Sequence, residues 1–183
     1  RIHLGRQRIE LVRPVDADVE SRQPEEGVNV FGLLLQDFVV RVASFEQVAA
    51  KLKETGLKAT VCGAFSPDRD LTSDNAAYRK NSLAYIKGAV DFCAAAGART
   101  LVGPMYSAVG KRRHVSAAQK KQEWSLAVKG ITEAGKYAAK LGVDLAVEPL
   151  NRFETDLLNT SEQACKMVND INLANVGVHL DTD

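Results

Sequence analysis

Val143-Asp144-Leu145-Ala146-Val147-Glu148 divides its side chains between two unlike faces. Successive residues of a strand point to opposite sides, so Val143, Leu145 and Val147 share one face and Asp144, Ala146 and Glu148 the other. Further along, Val176 to Asp181 repeats the division, with Val176, Val178 and Leu180 set against Gly177, His179 and Asp181. Each strand has one apolar face fit to lie under helices and one face that is small and polar. A sheet sandwiched between helical layers wants both faces apolar, whereas a barrel with a functional interior wants this division.

These strands belong to a repeating unit. A first apolar run, Val30 to Leu35, precedes a helix expected from Ser44, which has capping-box spacing to Gln47 and a plausible stop at Gly56. A strand is expected at 58–64 and a helix from Asp74 to Ala96 that buries Leu83, Ile86, Val90 and Cys93. Then come a strand at 99–103, broken by Pro104, and a long helix from Ser116 to Leu141 that buries Trp124, Val128, Ile131 and Leu141. The strand at 143–148, a helix from Ser161 to Ile171 and a strand at 175–181 complete the series. Strands separated by single helices imply right-handed crossovers and a parallel sheet. No strand is followed by G-x-G-x-x-G or by G-x-x-x-x-G-K-[ST], the phosphate loops of the open doubly wound alternative.

The expected fold is therefore α/β, an incomplete (β/α)8 TIM barrel. The strands read here run from the second to the sixth of such a barrel, so the last two are lacking. Residues 1–26, rich in Arg, Gln, Glu and Pro, show no strand–helix pattern and are expected to be an atypical, disordered N-terminal segment. Residues 27–183 are expected to form the partial barrel domain.

Composition narrows the function. The 183 residues are 45% hydrophobic and 26% charged, which suits one soluble domain rather than a disordered chain. Lys and Arg nearly cancel Asp and Glu, for a net charge of +1, so no field exists to draw nucleic acid or an anionic membrane. No apolar run approaches the ~18 residues of a membrane span, and the N-terminus lacks the apolar core of a secretory signal. Cys62, Cys93 and Cys165 form no C-x-x-C pair and read as reduced thiols of a cytoplasmic protein.

Glu148 and Asp181 are the leading candidates for chemistry. Each ends a strand on the polar face, and in a parallel barrel the C-terminal strand ends converge on the catalytic rim. If the two strands pair, their ends lie about 5 Å apart, and two carboxylates so close call for a proton or a cation between them. A divalent ion with oxygen ligands answers that need. Pro149 forces Glu148 into an extended conformation, and Asn151, Arg152 and Glu154 beyond it offer polar groups for hydroxyls, or else a local Arg–Glu pair on an exposed turn. His179 shares the inward face of Asp181, either as a satisfied interior histidine or as a hydrogen-bonding partner of substrate. Cys62 stands at a strand end, where it is either a merely buried thiol or a residue that lines a pocket. Lys111-Arg112-Arg113-His114 reads as a solvated loop, with a phosphate grip or a lid as the alternatives.

Val147-Glu148-Pro149-Leu150-Asn151-Arg152-Phe153-Glu154-Thr155 is similar to the E-x-x-N-R-F-E signature of the ketose 3-epimerases, and Leu180-Asp181-Thr182 resembles the start of their L-D-T-[FY]-H motif. These are the D-tagatose, D-psicose (allulose) and L-ribulose 3-epimerases of the xylose isomerase-like barrel superfamily. Asp70 to Ser73, Val102 to Tyr106 and Gly27 to Phe31 also resemble family segments. The resemblance implies metal-dependent C3 epimerisation of a ketose through an enediolate. Glu148 would be both metal ligand and acid/base, and Asp181 a second ligand. Glu154 would bind sugar hydroxyls, while Cys62 and Gly103 would line the sugar pocket. It further implies a divalent ion, usually Mn2+ with Co2+ or Mg2+ as substitutes, and a homo-oligomer, dimer or tetramer.

The sequence departs from that family in ways that matter. Its second glutamate and its histidine ligand come from strands seven and eight, and Asp183 stands where an aromatic follows L-D-T. Gly32 stands where the family usually has glutamate, and residues 1–26 do not resemble the first strand and helix. The chain is therefore expected to be an inactive fragment of such an enzyme. Two other readings compete: another enzyme of the same superfamily, such as an inosose dehydratase, or a non-catalytic binding protein on a partial barrel. A metal-dependent endonuclease would want more histidine and a basic face.

Overall fold

The computed structural model describes residues 9–11, 31–34 and 45–181, with side-chain environments from residue 47 onward. Strand β1 is Ile9–Leu11 and β2 is Phe31–Leu34. Helix α1, Phe45–Thr55, leads to β3, Ala59–Cys62, and α2, Ala76–Ala96, leads to β4, Thr100–Gly103. Helix α3 is Ala117–Lys140, β5 is Asp144–Val147, α4 is Ser161–Ile171 and β6 is Val176–Leu180. No described helix is long and apolar enough to cross a membrane.

Local chemistry sets these limits. Asn75 caps α2 by accepting the Ala77 amide proton, and Gly97 closes it by donating to Ala94 O and Cys93 O. Thr160 and Gln163 form a reciprocal capping box at the start of α4. The box expected at Ser44 falls outside the described residues.

The sheet is parallel throughout, in the order β1-β6-β5-β4-β3-β2. Strands β2 to β6 neighbour one another in chain order, as consecutive βα units of a barrel do. The sheet is thus part of a TIM barrel, as expected. The N-terminal stretch adds one short strand. Ile9–Leu11, inside the stretch read as patternless, forms a strand beside β6, with Glu10 in register with His179. Its three residues alternate apolar and polar, too short a signal to read alone, and pairing satisfies the backbone groups along the β6 edge. The expected boundary between residues 26 and 27 falls outside the described residues.

The helices cover the apolar sheet face. Val143, Leu145 and Val147 of the β5 segment and Val176 and Val178 of β6 are buried with Ile86, Val90 and Cys93 of α2 and Ile131 of α3. The buried stripe of α3 is Glu123, Ala127, Ile131, Ala134, Gly135 and Ala138. That corrects the expected face: Trp124 and Val128 are only partly buried, and Leu141 is 42% exposed. Small residues win this face because helix and sheet approach closely. A Cβ on Gly135 would lie 2.8 Å from Leu173 Cδ1 and 2.9 Å from Val176 Cγ2.

Candidate active site

The polar face opens at the C-terminal ends of β3 to β6, and glycine lets it form. Gly103 ends β4 with φ of 137°, a conformation that side chains rarely adopt. A Cβ there would stand 2.8 Å from Gly63 O. The close approach brings the β3 and β4 ends together, with the Gly63 amide donating to Val102 O at 2.9 Å. Gly103 O in turn accepts the Glu148 amide proton at 3.1 Å. Gly103, expected to line a pocket, is thus the backbone anchor of Glu148.

Glu148 is 8% exposed although it is acidic. Burial raises its carboxyl pKa, and the negative charges of Asp181 and Glu154 raise it further, to about 7. The β5–β6 register pairs Val147 with Val178, so the next row brings Glu148 beside His179. His179 Nε2 stands 4.0 Å from Glu148 Oε1. Asp181 lies two residues past His179 and is exposed. The expectation of two facing carboxylates becomes a staggered arrangement, because the register offsets the two strands. Cys62, half-buried at the end of β3, belongs to the same neighbourhood. Burial pushes its thiol up to about 11, helped by the charges of Glu148 and Asp181, so it is a neutral group at ordinary pH.

The loop after β5 carries Glu154. Its amide donates to Asn151 O at 3.0 Å, its carbonyl accepts from the Gly110 amide at 2.6 Å, and the Asn151 side-chain amide donates to its carboxylate. Asn151, not Arg152, is therefore its local partner. Arg152 is exposed and stacks over the Phe153 ring, 5.0 Å from its centroid. Among the described contacts Arg152 has none with Glu148, His179 or Cys62, so the structure does not bring it to their cluster.

The basic loop after β4 is solvated only in part: Arg113 is exposed, while Lys111 is nearly enclosed. Arg112 and His114 are exposed, but Lys111 and Arg113 enter an ion-pair network with Asp70, Glu123, Asp156 and Lys120. Glu123 is 1% exposed. Spacing gave no hint of this, because each partner comes from a different loop or helix.

A divalent ion fits part of the site. Glu148 and Asp181 offer hard oxygen donors whose mutual repulsion a cation would relieve. Among the described residues, no group of three His, Cys, Asp or Glu side chains is arranged to hold an ion. The fit is that of a partial ligand set.

Comparison with known proteins bears on the family and the fold. Residues 24–183 match the family described as xylose isomerase-like TIM barrel. A ketose 3-epimerase of Arthrobacter globiformis is 34% identical over 141 residues, which cover 76% of this chain and 48% of the relative. The structure of D-psicose 3-epimerase with D-tagatose from Clostridium cellulolyticum H10 aligns with a TM-score of 0.75 and 26% identity, over 84% of this chain and 53% of that one. The structure of an L-ribulose 3-epimerase aligns with a TM-score of 0.77, over 85% of this chain and 51% of that one; at 22% identity it speaks for the fold alone. The chain spans about half the length of the curated relatives it matches.

Proposed function

The chain belongs to the xylose isomerase-like TIM barrel family, and on that premise we propose that its rim is one half of the active site of a ketose 3-epimerase. The observation that carries this reading is Glu148: a carboxyl enclosed at a strand end, anchored to Gly103, with its pKa raised to about 7.

Inverting C3 of a ketose begins with loss of the proton next to the C2 carbonyl. A positioned general base contributes about 10²–10⁴ in rate. Glu148 takes the C3 proton in this reading. Glu154 holds hydroxyls of the sugar, and His179 and Cys62 line the pocket as a polar and a neutral group. Glu148 and Asp181 would hold a divalent ion, Mn2+ by preference with Co2+ or Mg2+ as substitutes. When bound, that ion would supply Lewis-acid stabilisation of the charge developing on the sugar oxygens. The enzyme is proposed to be a homo-oligomer acting on a ketose in the cytoplasm.

Inversion needs the proton to return on the opposite face, from a second acid. Among the residues whose side chains are described, the acids that act on Glu148 are Asp181 and Glu154, here given to the ion and the hydroxyls. The 183-residue chain should therefore exchange the C3 proton without inverting the centre. The test incubates it with D-fructose and Mn2+ in D2O and follows both sugars by NMR. Deuterium at C3 of D-fructose with no D-psicose is expected, and Glu148→Gln should abolish it. Exchange that survives Glu148→Gln, or none at all, would remove Glu148 from this role. Turnover to D-psicose would show that the chain is complete for catalysis.

A further inference from the structure

Lys111, on the loop after β4, keeps its ammonium group nearly enclosed. It donates to Asp70 Oδ2 and Thr72 Oγ1, both at 2.7 Å, and stands 3.9 Å from Glu123 Oε1. Asp70 and Thr72 are buried on the loop after β3, and Asp70 Oδ1 accepts the Thr72 amide at 2.8 Å and hydroxyl at 2.7 Å. Two residues on, one terminal nitrogen of Arg113 reaches both Glu123 oxygens, at 2.8 and 2.9 Å. Arg113 Nε and Lys120 Nζ meet Asp156 of the loop after β5 at 3.2 and 2.9 Å. Burial pushes the Asp156 carboxyl up, but hydrogen bonds from Lys120 and Arg113 outweigh it and hold the carboxyl below its usual range.

A closed set of cations and anions is weak evidence for stability, because desolvation offsets the attraction. It is better suited to fixing geometry, and the geometry at stake is that of Glu154. Lys111 forms an isolated parallel bridge with Thr155, and the adjacent Gly110 amide binds Glu154 O. The backbone that carries Glu154 is thus held by the backbone that Lys111 anchors through Asp70. Glu148 is held separately, by Gly103. The two rim carboxylates are thus held by different backbone hydrogen bonds.

We propose that Lys111 is a positioning residue for sugar binding: its ion pair with Asp70 sets the place of Glu154 and hence the affinity for the ketose, without touching the cation site. This rests on the assignment of Glu154 to sugar hydroxyls.

The test compares the full chain with Lys111→Met, Lys111→Arg, Glu154→Gln and the double variant Asp70→Asn/Lys111→Met, which removes both charges if the single change fails to fold. Calorimetry gives the affinities for Mn2+ alone and for D-psicose in its presence. Hydrogen exchange reads the Gly110 amide, with the Glu148 amide as control. Lys111→Met or the double variant should weaken D-psicose about tenfold, speed exchange at Gly110, and leave Mn2+ affinity and the Glu148 amide unchanged. Lys111→Arg should restore most of both losses. Unchanged exchange at Gly110, or equal losses for sugar and Mn2+, would overturn the positioning role. Unchanged sugar affinity in Glu154→Gln, or no D-psicose binding by the wild-type chain, would instead overturn the reading of Glu154 on which it rests.

Discussion

His179 Nε2 lies 4.0 Å from Glu148 Oε1, across the pairing of β5 with β6. The two side chains share a row of the polar sheet face because the register sets Val147 against Val178. His179 is thus the polar side chain set beside the buried Glu148 carboxyl.

Replacing His179 with Phe should push the Glu148 pKa further above its present value of about 7. An apolar ring at this distance adds desolvation and offers nothing to the carboxylate. An NMR titration of the Glu148 side-chain carbonyl checks the direction. A lower pKa in the variant would show that His179 is not a favourable neighbour.

Glu148 should make the chain less stable as pH rises. Its folded pKa, about 7, exceeds the ordinary 4.5, so the folded state binds the proton more tightly than the unfolded state between those values. Below about pH 4.5 Glu148 carries no penalty, and above about pH 7 the penalty is complete. A rise of this size corresponds to roughly 3 kcal/mol as an order of magnitude. Urea unfolding of wild type and Glu148→Gln at pH 5 and pH 8 measures it, and the variant should gain most at pH 8.

Mn2+ should raise the melting temperature at pH 7.5, because an ion that binds only the folded state stabilises it by mass action. The rise should be lost in Glu148→Gln and reduced in Asp181→Asn, and removal of the ion by EDTA should reverse it. An equal Mn2+ shift in wild type and both variants would place the ion elsewhere.

Gly103→Ala should destabilise the fold by about 1–3 kcal/mol, the usual cost of a strained backbone conformation, and by more if the Cβ contact 2.8 Å from Gly63 O cannot relax. It should also speed hydrogen exchange at the Glu148 amide, which donates to Gly103 O. Chemical denaturation and amide exchange on one sample separate the two effects.

Thr160→Ala should cost about 1 kcal/mol, since Thr160 accepts the Gln163 amide proton and completes the α4 capping box. The rim should be indifferent to it, so Mn2+ affinity stays as in wild type. Calorimetry of unfolding and of ion binding gives both numbers.

Much of the fold is legible in the chain because it is written in local patterns. The alternation of Val143, Leu145 and Val147 with Ala146 and Glu148, and the stop at Gly97, need only nearest neighbours to act, and the parallel βα order follows from them. The place of Glu148 on the polar side at the end of β5 follows the same way, from strand parity. Tertiary structure decided the rest, because it depends on which distant backbones meet. The offset of β6 against β5 sets His179, not Asp181, beside Glu148. The approach of Gly103 to Gly63 turns a glycine into the mount of that glutamate. Lys111 and Arg113 read as solvated until Asp70, Glu123 and Asp156 arrive from three other segments, enclosing the Lys111 charge and pairing that of the still exposed Arg113. An ion pair of that kind has no period and no spacing, so it exists only once the chain has folded.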